Sequence, residues 1–175
     1  MKESTQLRSL ILSVSGIVLG LFIWANVPVD PLPQAVRAAR IEIDKGKHTL
    51  TLVDEKGQPI KVYRVALGRA GKRLSQYDGK TPEGNYFVQE TNPQSTYHMS
   101  LALNYPSKED MVEAAQQGAQ AGGVVAIQGI KNGWSFLGRA HRFYDWTDGS
   151  ISVTNTEIEE ILRAVPRGTP VAIWE

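Results

Sequence analysis

Residues 127–155 read IQGIKNGWSFLGRAHRFYDWTDGSISVTN, and the reading of this stretch decides the rest of the chain. It opens at the end of an apolar run, Val124-Val125-Ala126-Ile127, which reads as a buried strand. Gly129 and Gly149 each read either as a turn glycine or as a point where backbone approaches a ligand closely. The segment between them is rich in aromatics: Trp134, Phe136, Phe143, Tyr144 and Trp146 suit a substrate-facing lid or a protein-binding surface. Most of them are expected to pack beneath the loop. Arg139 and Arg142 can receive a carboxylate, although solvated arginines are the plainer expectation. His141 reads as a loop residue stacked near Trp146 or bonded to backbone.

Beyond the turn at 147–150 the signal becomes helical. Thr154-Asn155-Thr156-Glu157 resembles a capping box, and Ile158, Ile161, Leu162 and Val165 share one face over 156–165. Pro166 and Gly168 end that helix, and Val171 to Trp174 can return as a closing strand. Upstream, Ile41 and Ile43 alternate with Glu42 and Asp44, a Lys45-Gly46-Lys47 turn follows, and Leu50 and Leu52 flank Thr51. A second polar turn at 54–58 leads into Ile60 to Leu67, so three short strands are expected before Gly68. Asp78-Gly79-Lys80-Thr81-Pro82-Glu83-Gly84-Asn85-Tyr86 reads as a pair of turns. Ser107 is an N-cap candidate for a helix over Met111 to Gln117, with Gly118 as its stop.

Four ordered patches together resemble a known family. Ile127-Gln128-Gly129, Thr147-Asp148-Gly149-Ser150, the 78–86 stretch, and Tyr97 to Leu101 with Asn104-Tyr105-Pro106 are similar to the L,D-transpeptidase catalytic domain of the YkuD type. The resemblance runs from about Ile41 to the C-terminus. It implies a mainly β fold, an L,D-transpeptidase-like sandwich or barrel with two short helices. It also implies a site at which a cysteine thiolate attacks a peptidoglycan stem peptide while a histidine accepts the thiol proton. Here Ser150 stands at the cysteine position and Gln128 at the histidine position. Gly129, Gly149, His141, Arg142 and Trp146 are the candidate substrate-binding residues beside them.

The double departure has a direct chemical meaning. A free cysteine titrates near about 8.5 and is readily activated by a neighbouring imidazole. A serine hydroxyl needs a well-placed general base, and the Gln128 amide neither takes nor releases a proton near neutrality. His141 is the one local substitute, but the resemblance implies that it is inherited alongside the cysteine rather than compensating for its loss. Gly149 before the nucleophile position would let backbone amides face a developing oxyanion in an active relative.

Composition narrows the field further. The chain of 175 residues is 42% hydrophobic, enough for one domain plus an extension. It contains no cysteine, which rules out thiol catalysis, disulfides and thiolate zinc sites. His48, His98 and His141 show no paired spacing, so neither a metal nor another cofactor is expected. Of the 19 basic and 18 acidic residues, Lys2, Arg8 and Glu3 precede residue 28, leaving 17 of each. A neutral domain without a basic run is a poor nucleic-acid partner.

Residues 9–27 carry no charge and include LILSVSGIVLGLFIWA, about the length that crosses a ~30 Å hydrocarbon core. With Lys2 and Arg8 before it, the expectation is an uncleaved single-pass anchor, with the tail 1–8 in the cytoplasm and the domain on the periplasmic side of a bacterial inner membrane. A cleaved signal peptide is the competing reading. Pro28, Pro31 and Pro33 mark 28–40 as an extended spacer, with a helical turn or two within Gln34 to Arg40, and the domain occupies 41–175. The functional expectation is a catalytically degenerate relative that binds peptidoglycan or a protein partner. The alternatives are an accessory subunit of a membrane complex, and an enzyme with residual activity or one whose cysteine was deliberately changed. The deliberate change would account for Ser150 but not for Gln128.

Overall fold

The computed structural model describes residues 2–27 and 30–175, apart from the side chains of 2–10. Helix α1 spans Lys2–Asn26. Every residue from 11 to 24 is exposed, and Ala25 is the first buried position. Among the residues whose side chains are described, no helix is long and apolar enough to cross a membrane. The anchor expected at 9–27 also draws on Ser9 and Leu10, whose side chains lie outside the described residues.

The rest of the chain is built on eight strands: β1 (Arg40–Asp44), β2 (Thr49–Val53), β3 (Pro59–Arg64), β4 (Gly84–Ser95), β5 (His98–Leu103), β6 (Ala126–Gln128), β7 (Ile151–Ser152) and β8 (Pro170–Trp174). They form one sheet in the order β3-β2-β1-β8-β4-β5-β6-β7. The alternation in β1 and β2 works as the sequence indicates, with Ile41, Ile43, Leu50 and Leu52 fully buried while Glu42 and Thr51 lie on the other face. β3 is shorter than the apolar run from Ile60, ending at Arg64. Past it, Ala66 and Ser152 exchange two backbone hydrogen bonds of 2.9 and 2.8 Å. That exchange joins the β3 side of the sheet to β7, its opposite edge, so the sheet closes on itself and leaves few unpaired edges.

Two α-helices cover the sheet as expected. α2 (Lys108–Gln116) starts at Ser107, whose hydroxyl accepts the Asp110 N–H at 3.1 Å while the Asp110 carboxylate accepts the Ser107 N–H at 2.7 Å. Gly118 follows it at φ +66°. α3 (Asn155–Ala164) buries Ile158, Ile161 and Ala164 and packs on β5. The Glu157 carboxylate accepts both the Thr154 N–H at 2.9 Å and the Thr154 hydroxyl at 2.8 Å.

The structure departs from the sequence reading in four places. Over Gln34 to Arg40 there is no helix, only a turn at Gln34 and Ala35 before Arg40 opens β1; Leu32 and Ala38 are instead buried against the domain, with the Leu32 N–H bonded to Glu160 at 3.0 Å and the Ala38 N–H to the Ala164 carbonyl at 3.0 Å. Part of the 130–146 loop, Ser135–Phe143, is wound as a 3-10 segment interrupted at Gly138. Val124 is 76% exposed, so the buried run begins only at Val125. The loop aromatics are mostly not packed beneath it: Trp134, Phe136, Phe143 and Tyr144 are 54%, 54%, 75% and 70% exposed.

Candidate active-site cleft

Parallel pairing of β6 with β7 sets Ile127 beside Ile151 and Gln128 beside Ser152. That register sets Ser150 beside Ala126, two residues before Gln128 along β6. Gln128 and Ser150 both line a cleft of about 310 Å³ whose other walls are Ser95, Tyr97, Ser100, Trp146 and Asp148 among others. Gln128 is buried and Ser150 half-buried. The Ser150 hydroxyl oxygen accepts the Ala126 N–H at 3.2 Å, and the Ser150 carbonyl accepts the Thr147 hydroxyl at 2.6 Å. Ser150 is therefore fixed by its own turn and by β6.

The turn is held from outside by a residue that sequence reasoning passed over. Arg73 is 4% exposed, and its guanidinium donates to the carbonyls of Asp148 at 2.7 Å, Gly122 at 3.0 Å, Gln76 at 3.0 Å and Lys80 at 3.1 Å. Three glycines pack backbone against backbone beneath it. A Cβ on Gly68 would lie 2.8 Å from Gly149 Cα and would also collide with the Gly79 carbonyl. The Asp78 carboxylate organises the neighbouring loop by accepting the N–H groups of Leu74, Ser75 and Lys80 at 2.7 to 3.0 Å. Burial raises its pKa, but those bonds and the nearby Arg73 charge outweigh burial and leave it below the usual carboxylate range. The turn pair at 78–86 thus braces the 147–150 turn from outside the cleft.

Gly149 is buried at φ +104°, where a side chain would be strained and would strike Arg73 and the Lys80 carbonyl. Its N–H is directed to the Thr147 hydroxyl at 3.3 Å. Gly129 meets protein rather than open space: a Cβ there would lie 2.9 Å from both Asn155 Oδ1 and the Tyr97 carbonyl.

The remaining candidates divide across Trp146, which lines the cleft on one side and a second, apolar groove on the other. Tyr97 stacks on it at 6.2 Å and His141 meets it edge-on at 6.1 Å. His141 lines the groove, away from Ser150. The Trp146 indole N–H donates to His141 Nδ1 at 3.3 Å, so the neutral ring carries its proton on Nε2, which is buried without a partner among the described residues. Burial, then the Arg142 charge, push the His141 pKa down to about 3. Arg142 is neither solvated nor in the cleft, since it pairs with Glu157 at the start of α3. Arg139 lies over the Trp24 ring at 4.9 Å. No cluster of metal-binding side chains occurs among the described residues.

The cleft therefore offers an amide, a hydroxyl and the Asp148 carboxylate around an aromatic wall. It can bind a polar chain through hydrogen bonds. A carboxylate is a weak base toward an alcohol, and nothing else in the cleft can take the hydroxyl proton.

Comparison with known proteins places this arrangement. The family model for the L,D-transpeptidase catalytic domain (YkuD) matches residues 38–173. No curated protein matches the chain. Among solved structures, the chain is similar to the helical cell shape determining protein Pgp2 from Campylobacter jejuni, at 23% identity and a TM-score of 0.62 over 77% of this chain and 46% of that one. It is also similar to Bd1075 from Bdellovibrio bacteriovorus, at 24% identity and 0.57 over 82% and 49%. An L,D-transpeptidase from Xylanimonas cellulosilytica follows at 18% and 0.52 over 83% and 65%. The chain spans about half the length of the first two solved chains, and at these identities the likeness is one of fold.

Proposed function

The chain belongs to the L,D-transpeptidase catalytic domain family, and from that premise we propose that it is a catalytically silent member, held at the bacterial inner membrane by α1, whose cleft binds peptidoglycan stem peptides without processing them. One observation carries this reading. Gln128 and Ser150 line a single cleft, and the sequence resemblance matches them to the positions where the family chemistry calls for a base and a thiolate. Loss of either member of such a pair costs orders of magnitude in rate, and loss of both leaves binding. His141 does not restore the pair, because it stands behind Trp146 with Nδ1 already engaged. Tyr97 and Trp146 supply a stacked aromatic wall and Ser95, Ser100, Gln128 and Asp148 supply donors and acceptors, which suits an extended peptide. The membrane part of the reading is supported by the exposed apolar surface of residues 11–23.

The test is a pull-down of the full chain, in detergent, on isolated peptidoglycan sacculi, with muropeptide analysis of the same sample. Binding with an unchanged muropeptide profile is the expected result. New cross-links or cleavage products would overturn the silent reading, and absence of binding would favour the accessory-subunit reading. A Ser150→Cys, Gln128→His double variant supplies the missing pair to the same cleft. It is expected to form cross-links that the parent chain does not.

A further inference from the structure

The 3-10 segment and its flanks form a second surface, separate from the cleft. From Lys131 to Tyr144 there is no acidic residue; Lys131 is exposed, while Arg139 lies over Trp24 and Arg142 is paired with Glu157. Trp134 and Phe136 stack at 6.0 Å and are half-exposed. Between Trp134 and Tyr144 opens an apolar groove of about 620 Å³, floored by Leu137 and Ala140. An exposed aromatic patch of this kind needs an occupant.

The end of α1 indicates which one. Phe143 stacks on Trp24 with centroids 6.3 Å apart and planes within 8°. Arg139 donates to the Trp24 carbonyl and lies over its ring. Asn26 donates to the Phe136 carbonyl at 3.1 Å, and a Cβ at Gly138 would collide with the Ala25 carbonyl. These contacts involve only the last turn of α1; of the fourteen residues 11–24, all but Trp24 extend beyond them with exposed side chains. Fourteen residues at about 1.5 Å each cover about 20 Å, so an inserted α1 would bring Trp24 close to the membrane–water boundary. Whatever packs on Trp24 then sits at that boundary too.

We infer that the aromatic face of residues 134–144 docks onto the phospholipid bilayer surface, seating the domain against the interface beside α1. Tryptophan and tyrosine favour that depth because an apolar ring and a polar tip are both satisfied there. Lys131, exposed at the edge of the groove, suits anionic headgroups. Docking orients the domain so that the cleft, on the other side of Trp146, faces along or away from the membrane in a fixed direction. The inference rests on the anchor reading of α1.

The absence of cysteine makes the test clean. Single variants Tyr144→Cys on the loop, Leu19→Cys on α1 and Val112→Cys on the exposed face of α2 are spin-labelled in the full chain and reconstituted in vesicles of phosphatidylcholine and phosphatidylglycerol. Collision with oxygen and with a water-soluble nickel chelate reports depth. The label at 19 is expected to be deep, the label at 112 aqueous, and the label at 144 severalfold less accessible to nickel than that at 112. A deep label at 19 with a label at 144 as aqueous as at 112 would overturn docking while leaving the anchor, and would assign the aromatic face to a protein partner. An aqueous label at 19 would overturn the anchor reading and docking with it.

Discussion

The two terminal nitrogens of the Arg73 guanidinium bond four backbone carbonyls from three segments, 76–80, 122 and 148, and this makes it the residue on which the shape of the cleft most depends. Charge-assisted bonds of this kind contribute about 1.5–3 kcal/mol each when one is lost from a buried site. A lysine can place a point charge there but not a planar fork. Arg73→Lys is therefore expected to lower stability by about 2–3 kcal/mol, read as a shift in the urea midpoint at unchanged slope. It is also expected to weaken binding to sacculi, because the Asp148 carbonyl loses its tether. Sequence reading could not find this residue, since its partners are carbonyls, which every residue carries. His141 gives a second residue-scale outcome. Its pKa falls from 6.5 to about 3 on folding, so between those values the unfolded chain binds the extra proton and stability drops as pH falls. The maximum slope for one group is about 1.4 kcal/mol per pH unit. His141→Gln keeps an acceptor for Trp146 without titrating. Between pH 7 and pH 5 the parent chain is expected to lose about 1–2 kcal/mol more than the variant in matched urea titrations, and equal losses would refute the buried neutral imidazole.

At the scale of elements, what was local in sequence was legible and what was long-range was not. Both α-helices were placed from a cap, a stop and an apolar face, because Ser107, Thr154, Gly118 and Ile158 act within a turn or two of themselves. The strands β1 and β2 followed from alternation at Ile41, Ile43, Leu50 and Leu52 for the same reason. The 3-10 segment at Ser135–Phe143 has no 3.6-residue repeat to reveal it, and its form depends on Gly138 meeting Ala25 far away in sequence. Gln128, Ser150 and Trp146 line one cleft, whereas Arg142 is drawn away from it by its partner Glu157 on α3. Glu157 is the joint between these two elements, since one carboxylate oxygen accepts from Thr154 N–H, Thr154 hydroxyl and Arg142. Glu157→Ala is expected to cost about 2–3 kcal/mol, through loss of the cap and a half-buried unpaired arginine. A thermal melt would show it, and the accompanying loosening of 135–143 would appear as faster amide exchange there. Gly149→Ala acts at a different junction, where the 147–150 turn meets the 73–80 loop: its Cβ meets Arg73 and the Lys80 carbonyl at a positive φ, so a loss of about 2 kcal/mol or more is expected.

For the whole molecule, the decisive contact is the one that converts an eight-stranded sheet into a closed one. Two hydrogen bonds between Ala66 and Ser152 join strands at opposite ends of the sheet order, and Ser152 lies two residues beyond Ser150. The Ser152 hydroxyl also donates to the Gly129 carbonyl at 3.1 Å, so the seam passes directly beneath both halves of the cleft. If the seam opened independently of the core, the cleft would lose its floor while the rest of the sheet stayed folded. Local opening of that kind exposes its amides far more often than global unfolding does. The burial of Ala66, Ile151 and Ser152, each at 0% exposure, argues that it does not open alone. Native-state hydrogen exchange is therefore expected to show the amides of Ala66 and Ser152 as slow as those of Ile43 and Leu52 in the centre of the sheet. Exchange at the seam that is orders of magnitude faster would mean a hinged sheet, and a binding cleft that exists only part of the time.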